Sequence, residues 1–177
     1  GVAAHGQPFG AAFHQEQADA LAGAVVSGQT IDLTAGGAIT TGTLTSGDSV
    51  FVDAGGALMT GAVSAGLVNP VSSLLDGYRV GLRSQVGITA GDLSAAVAIG
   101  VSSPGAIAVG NVNAPQLFLA LPGTSLTTGS VTTASAGQIY IADYSMEALG
   151  GAIGGLFDPA PILAAQPVPV AGPVTIS

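Results

Sequence analysis

A tandem repeat with a period of nineteen residues runs through the middle of the chain. Between residues 30 and 66, for example, Ile39 recurs as Leu58 and Leu44 recurs as Val63. A unit of this length is too short for a propeller blade or a pair of helices, so it predicts coils of two or three short strands joined by tight turns. Stacked coils pair each strand with its equivalent about 4.8 Å above and below. The period therefore predicts an all-β fold, a parallel β-helix or β-solenoid.

A glycine-centred pattern shows how far the coils extend. It consists of an apolar residue, two small residues, Gly, any residue and an aliphatic residue. Its central glycines are Gly42, Gly61, Gly91, Gly110 and Gly129. Successive glycines follow the period of the repeat, except that the interval from Gly61 to Gly91 is longer by eleven. We expect five to six coils over residues 28–145, with a loop inserted at residues 66–77.

The stacking also predicts which side chains point into the solenoid. Because side chains alternate along a strand, two aliphatic columns should point inward and one column of mixed residues should point outward. The first inward column is Ile39, Leu58, Ile88, Ile107 and Leu126. The second inward column is Leu44, Val63, Leu93, Val112 and Val131. The outward column is Thr43, Ala62, Asp92, Asn111 and Ser130. The glycine column suits a corner or a crowded interior position.

Residues 1–27 lie outside the pattern and are predicted to form an N-terminal arm or cap. Within them, Ala18, Leu21, Ala22 and Val25 follow a helical spacing. We therefore expect a short helix or turn segment that covers the open end of the solenoid, because an unpaired strand edge invites association.

Residues 146–177 are predicted to form an apolar, proline-rich tail. Five of the ten prolines lie between Pro159 and Pro173, and such a tract cannot fill central strands. Residues 174–177 have the character of a strand that opens another coil. Two interpretations remain open: the tail folds back and caps the last coil, or it contacts the next repeat or subunit. The candidate interaction residues are Ile153, Leu156, Phe157, Ile162, Leu163, Val174 and Ile176.

Charge and composition argue against several kinds of partner. Charged residues make up 7% of the chain, the net charge is −8, and Arg79 and Arg83 are the only Lys or Arg residues. We therefore predict no binding to nucleic acid. The apolar runs are short and interrupted by Gly, Ser, Thr or Pro, so we predict no transmembrane insertion. The sequence contains no Cys, which excludes thiolate metal sites, and no cofactor or metal is expected.

Possible catalytic groups are few and scattered along the chain. Asp32 and Asp53 belong to nearby strands of adjacent predicted coils. We interpret them as solvated residues rather than as the paired carboxylates that glycan hydrolysis needs. Arg79 and Arg83, with Asp76 nearby, are expected to form a salt bridge that holds the inserted loop. We therefore predict that the chain is not an enzyme.

Two further kinds of site are disfavoured. His5 and His14 are nine residues apart, a spacing that matches no helical or zinc-finger geometry. Thr41, Thr43 and Thr45 form an alternating row of the kind that would suit an ice-binding face, but the equivalent rows of the other coils are mixed. We interpret these threonines as ordinary strand residues, since Thr suits exposed strand positions.

Two segments resemble the repeat regions of filamentous haemagglutinin-like exoproteins, which are large bacterial surface adhesins. They are AGGAITTGTLTSGDSVFVDAGGALMTGAVSAG and PGTSLTTGSVTTASAGQIYIAD. The resemblance covers residues 28–145 and implies a right-handed parallel β-helix, secretion, and a role in adhesion or surface structure. The amino-terminal secretion domain of that family is not recognisable in this chain, so the resemblance implies an internal or repeat-unit segment.

The function expected from these features is structural. The chain would be a rigid spacer or a self-assembling filament subunit of a secreted bacterial surface fibre or adhesin, located outside the cell or at its surface. The expected partners are further copies or repeats joined end to end, with a host or environmental glycan or cell surface as a possible target. The alternative is a polysaccharide-binding or polysaccharide-cleaving β-helix. A groove with clustered carboxylates or aromatic residues would favour this alternative, whereas flat faces of small residues would favour the spacer.

Overall fold

The computed structural model describes residues 11–15, 19–66, 79–144 and 174–176. For residues 11–15, 20–21 and 174–176 it describes the backbone alone. The elements within these ranges are 20 β-strands, with no α-helix among them.

The strands form three parallel sheets, and each full coil contributes one strand to each sheet. Sheet A consists of β1 (Ala11–Gln15), β4 (Ile31–Ala35), β7 (Val50–Ala54), β10 (Arg79–Ser84), β13 (Ala98–Ser103), β16 (Leu117–Pro122) and β19 (Gln138–Ile141). Sheet B consists of β2 (Ala20–Ala22), β5 (Ile39–Thr41), β8 (Leu58–Thr60), β11 (Ile88–Ala90), β14 (Ile107–Ala108), β17 (Leu126–Thr128) and β20 (Val174–Ile176). Sheet C consists of β3 (Val25–Ser27), β6 (Leu44–Ser46), β9 (Val63–Ala65), β12 (Leu93–Ala95), β15 (Val112–Asn113) and β18 (Val131–Thr132).

The register between neighbouring strands reproduces the period of the sequence. In sheet A, Val80 pairs with Ile99 and Ile99 pairs with Phe118, and each step equals one sequence repeat. Val50 pairs with Val80, a longer step, so the extra residues lie between two coils. Six full coils and part of a seventh follow one another at a spacing of about 4.8 Å. The predicted all-β parallel β-solenoid is confirmed.

The core lies inside the three sheets and consists of the predicted ladders. In the first inward column, Ile39 pairs with Leu58 and Ile107 pairs with Leu126, and all five members are 0–2% exposed. The second column is equally buried from Leu44 to Val112, and its last member, Val131, is partly buried. Aliphatic side chains from successive coils therefore exclude water along the whole axis, which is the main contribution that burial makes to stability.

The predicted glycine column forms the corner between sheets B and C. A Cβ atom at Gly61 would lie 3.0 Å from the carbonyl carbon of Gly42, and one at Gly91 would lie 2.8 Å from the backbone nitrogen of Ala62. A side chain does not fit there without moving the backbone of the coil below. The column is therefore Gly because the chain turns tightly against itself at this corner.

The first coil begins earlier than predicted, and the helical interpretation of this region is wrong. Strands β2 and β3 pair in parallel with β5 and β6, and the backbone of β1 pairs with β4. The N–H of Val25 donates to the carbonyl of Thr43 at 2.8 Å. The spacing of Leu21, Ala22 and Val25 suits a helix face, but it equally suits two short strands on either side of a corner, and the neighbouring coil supplies the partners for strands. Residues 19–27, assigned from sequence to an arm, therefore belong to the solenoid.

The last strand also occupies a different position from the one predicted. Val174–Ile176 lies in sheet B, where Val174 pairs with Leu126, rather than in the coil-opening position in sheet A. Strand β19 already fills that position in the same coil, in register with β16. Residues 174–176 therefore continue the seventh coil after β19, rather than opening a new one.

Candidate interaction surfaces

The outer faces of sheets B and C are narrow strips of small, uncharged residues. Each short strand presents one exposed or half-exposed residue between two inward ones. On sheet B these residues are Thr40, Met59, Thr89, Ala108 and Thr127. On sheet C they are Val26, Thr45, Ser64, Ser94, Asn113 and Thr132. Neither of these two columns of described residues contains a titratable group.

The corner between sheets B and C bears a ladder of polar side chains. The Asp92 carboxylate accepts a hydrogen bond from the backbone N–H of Asn111 at 2.8 Å. The Asn111 amide oxygen in turn accepts from the backbone N–H and the hydroxyl of Ser130, at 3.1 and 3.0 Å. All three residues are exposed, as predicted for the outward column. Gly110 and Gly129 leave the space that these side-chain oxygens occupy, so the ladder joins coils rather than forming a pocket.

Three threonines at the ends of sheet B strands also lie inside the solenoid, and in their column Ala90 and Val109 separate Thr60 from Thr128. The Thr41 hydroxyl donates to the Thr60 hydroxyl at 2.9 Å, and the Thr60 hydroxyl donates to the carbonyl of Gly42 at 3.2 Å. Thr128 is 3% exposed, and its hydroxyl donates to the carbonyl of Gly129 at 2.9 Å. Thr41 therefore faces inward, and the alternating threonine row of the first coils does not form one flat outer surface.

The outer face of sheet A is charged at its N-terminal half. Asp32 and Asp53 project from neighbouring strands, but the register pairs Asp32 with Phe51 and Asp53 with Thr34, so the carboxylates are not directly opposite. Asp53 instead forms a salt bridge with Arg83 of the next coil, at 3.6 Å between Oδ2 and Nη1. This contact joins two coils. Asp76, the partner expected from sequence, lies outside the described residues.

The outer face of sheet A is apolar and buried at its C-terminal half. Leu117, Leu119 and Leu121 alternate along β16 with inward-facing residues, and they are 6%, 1% and 0% exposed. With Ala98 and Ala142 they form a hydrophobic cluster separate from the core. We call this set of five residues the outer cluster. Sequence reasoning missed it, although LFLALP is an unbroken apolar run, which is typical of a strand buried on both faces.

The candidate interaction residues from the tail are described only in part. Ile153, Leu156, Phe157, Ile162 and Leu163 lie outside the described residues. Val174 and Ile176 lie in β20, whose backbone pairs with β17. Among the residues with described side chains, the exposed large hydrophobics are Val26, Met59, Val86 and Ile139.

Among these exposed residues, Ile139 differs from the others because it belongs to an inward-facing column of sheet A. It pairs with Phe118 in the inward column of sheet A, where Val80, Ile99 and Phe118 are fully buried. Ile139 is nevertheless 48% exposed. Among the described strands of sheet A, β19 is the last, and it presents a core side chain that no further described strand covers.

The described residues bring together no group of three or more His, Cys, Asp or Glu side chains that could hold a metal ion. The backbone of His14 lies in β1, opposite Thr34, and His5 is outside the described residues. In the described part of the chain no helix is long and apolar enough to span a membrane.

Comparisons with known proteins identify no relative of this chain. No protein-family model matches the chain, and the searches of curated proteins and of solved structures likewise find no match. The class of protein is therefore defined by its fold alone, a parallel β-solenoid with three sheets.

Proposed function

We propose that this chain is a structural segment of a secreted bacterial surface fibre or adhesin, in which the solenoid acts as a rigid spacer or as a subunit of a self-assembling filament. The observation that carries the proposal is the uninterrupted stacking of coils. Backbone bonds join coil to coil along the axis, as from Ile31 to Ser49 and from Leu93 to Asn111, both at 2.8 Å. Because these hydrogen bonds run along the solenoid axis, they act together to resist stretching and bending of the solenoid.

The surface chemistry supports a structural role over catalysis. The outward columns of sheets B and C carry hydroxyl, amide and methyl groups without charge, and the side-chain ladder from Asp92 to Ser130 links coils. On the outer face of sheet A, the Asp53 carboxylate forms a salt bridge with Arg83. The location outside the cell and the likeness to haemagglutinin-type repeats belong to this proposal and rest on the repeat pattern of the sequence.

The filament form of the proposal depends on the exposed end of the stack. A second copy placed end to end would cover Ile139 and could pair in the same parallel sense with the edge of β19 that faces away from β16. We expect the sedimentation coefficient of the wild-type chain to increase with protein concentration. Ile139→Asp should abolish this growth, because it places a charge in a core column.

Val86→Asp is the matched control, because Val86 is 58% exposed at a corner away from the end of the stack. It should assemble like the wild type. If the wild-type chain stays monomeric at every concentration, the filament form is excluded and the spacer form remains. If Ile139→Asp assembles like the wild type, the copies do not contact one another through the end of the stack that bears Ile139.

A polysaccharide-binding or polysaccharide-cleaving β-helix is the alternative. Its best candidates are Asp32 and Asp53, which are partly exposed on the same face. A panel of plant, bacterial and host polysaccharides tests it directly. Release of sugars that is lost in both Asp32→Asn and Asp53→Asn would establish the alternative, whereas the structural proposal expects no release.

A further inference from the structure

Strand β20 is connected to its coil differently from the sheet B strands of earlier coils. In those coils, short connections such as residues 36–38, 55–57 and 85–87 lead from a sheet A strand to the next sheet B strand. Residues 142–173 separate β20 from β19. A connection of three residues reaches at most about 14 Å, which keeps a strand in its own coil. The connection to β20 would reach roughly 110 Å if fully extended, which is enough to cross from one copy of the chain to another.

The edge of β17 that pairs with β20 is matched to one short segment of this chain. Three residue pairs define the register: Leu126 with Val174, Thr127 with Thr175, and Thr128 with Ile176. The sheet B strands of earlier coils pair in the same register, as Ile39 does with Leu58. A second copy of the chain carries an identical segment, so its strand meets the same partners at this edge. Exchange of identical elements between copies is a low-cost route to association.

Strand β20 lies at the end of sheet B, where β17 is its one neighbour among the described strands. Strand β5, which lies inside the stack, pairs on both sides, with β2 and with β8. In the same coil as β20, the inward-column residue Ile139 of β19 is 48% exposed. Elements with few packed neighbours open locally at a lower free energy than the core of a fold. β20 can therefore leave β17 while the other coils stay folded.

We infer that the edge of β17 is a strand-exchange site, which accepts Val174–Ile176 of a second copy in place of the strand of its own chain. Two copies that each donate this strand to the other form a closed dimer. The dimer keeps the pairing between β17 and β20, because the pairing is made between copies instead of within one. Exchange differs from the end-to-end stacking of the filament form, since it needs no contact at Ile139, and each can occur without the other.

Single thiols on the two strands detect the exchange, because the chain contains no Cys. Thr127 is exposed and is the register partner of Thr175. Parallel partners lie about 4.8 Å apart, within the roughly 4.4–6.8 Å between Cα atoms that a disulfide spans. Thr127→Cys and Thr175→Cys are prepared as separate chains, unfolded, mixed, refolded under reducing conditions at about 1 mM, and then oxidised. Exchange brings the two thiols together, and we call the bond between them the exchange disulfide.

Thr89→Cys and Ala108→Cys are the matched control pair. These two residues are also exposed register partners on neighbouring sheet B strands, but residues 85–87 and 104–106 tie their strands to sheet A and prevent exchange. We expect the exchange disulfide to form in at least about tenfold higher yield than the control disulfide, and to decrease when the chains are refolded at about 10 μM. Equal yields from the two pairs would overturn the inference, because random collision would then account for both.

Two further chains complete the test. The chain with both Thr127→Cys and Thr175→Cys should form the disulfide within one molecule at low concentration, and its failure to do so would contradict the register on which exchange depends. Ile139→Asp, added to the two single-thiol chains, should leave the yield of the exchange disulfide unchanged, because it alters the stacking surface but neither β17 nor β20. Loss of the exchange disulfide would overturn the inference, since copies would then meet through stacked ends. An unchanged yield in chains that do not stack would exclude the filament form alone.

Discussion

The backbone N–H of Asn111 donates to the carboxylate of Asp92, which lies one coil earlier at the same corner, at 2.8 Å. Asn111 repeats the arrangement with Ser130 one coil later. Side chains at this outward position bury little area, but their hydrogen bonds hold successive coils at a fixed spacing. This relationship makes the corner a test of how the stack is stabilised.

Asn111→Ala should lower the free energy of unfolding by about 0.5–1.5 kcal/mol, because it removes the acceptor for two donors of Ser130. Thr43→Ala, in the same exposed column, is the control and should change it by less than about 0.5 kcal/mol. Urea denaturation followed by circular dichroism measures both. Equal effects of the two substitutions would show that the ladder does not stabilise the stack.

The inner threonine pair should be energetically coupled. Thr60→Val removes one of the two acceptors of the buried Thr41 hydroxyl, which also lies 3.1 Å from the carbonyl oxygen of Gly42, and we expect a cost of about 1 kcal/mol. The double variant Thr41→Val with Thr60→Val should cost less than the sum of the single variants, because both polar partners are then replaced together. Additive single effects in a double-mutant cycle would contradict the bond between the two hydroxyls.

The corner glycines should be intolerant of Ala where the chain meets itself. Gly91→Ala places a Cβ atom 2.8 Å from the nitrogen of Ala62, and we expect a loss of about 1–3 kcal/mol from the resulting strain. Gly23 occupies the same corner one coil before Gly42, and a Cβ atom there meets nothing within 4 Å, so Gly23→Ala is the matched control and should be close to neutral. A neutral Gly91→Ala would mean that the coils separate more easily than the contact distance indicates.

The salt bridge on sheet A should contribute little. Both side chains are more than one third exposed, so Asp53→Asn should cost at most about 1 kcal/mol, and high salt should reduce the difference from the wild type. Thermal denaturation at low and high ionic strength measures this. A loss that salt leaves unchanged would indicate that Asp53 stabilises the fold through contacts other than its charge.

Much of the fold could be predicted because a short period leaves few ways to bury aliphatic residues. Ile39 and Leu58 were assigned to one inward column from their spacing alone, and their register confirms it. The first coil was missed because Leu21 and Val25 are separated by a corner, and this spacing coincides with one helical turn. Only the neighbouring strands β5 and β6 decide between the two structures.

The candidate surfaces were less predictable than the ladders. Leu119 and Leu121 lie on a strand that looks like its neighbours by spacing, and spacing alone does not show that its outward residues are buried in a second cluster. The salt bridge between Arg83 and Asp53 of the preceding coil was not predicted, and Asp76, the partner expected from sequence, lies outside the described residues. Such contacts follow from the three-dimensional stacking of coils and are not visible as a local motif.

X-ray fibre diffraction of the assembled full-length chain tests the structural role most directly. The account predicts fibres in which the strand spacing of about 4.8 Å lies along the fibre axis, because coils stack in that direction within and between copies. Strictly monomeric protein that releases sugars from a polysaccharide, with no ordered fibre under any condition, would contradict it.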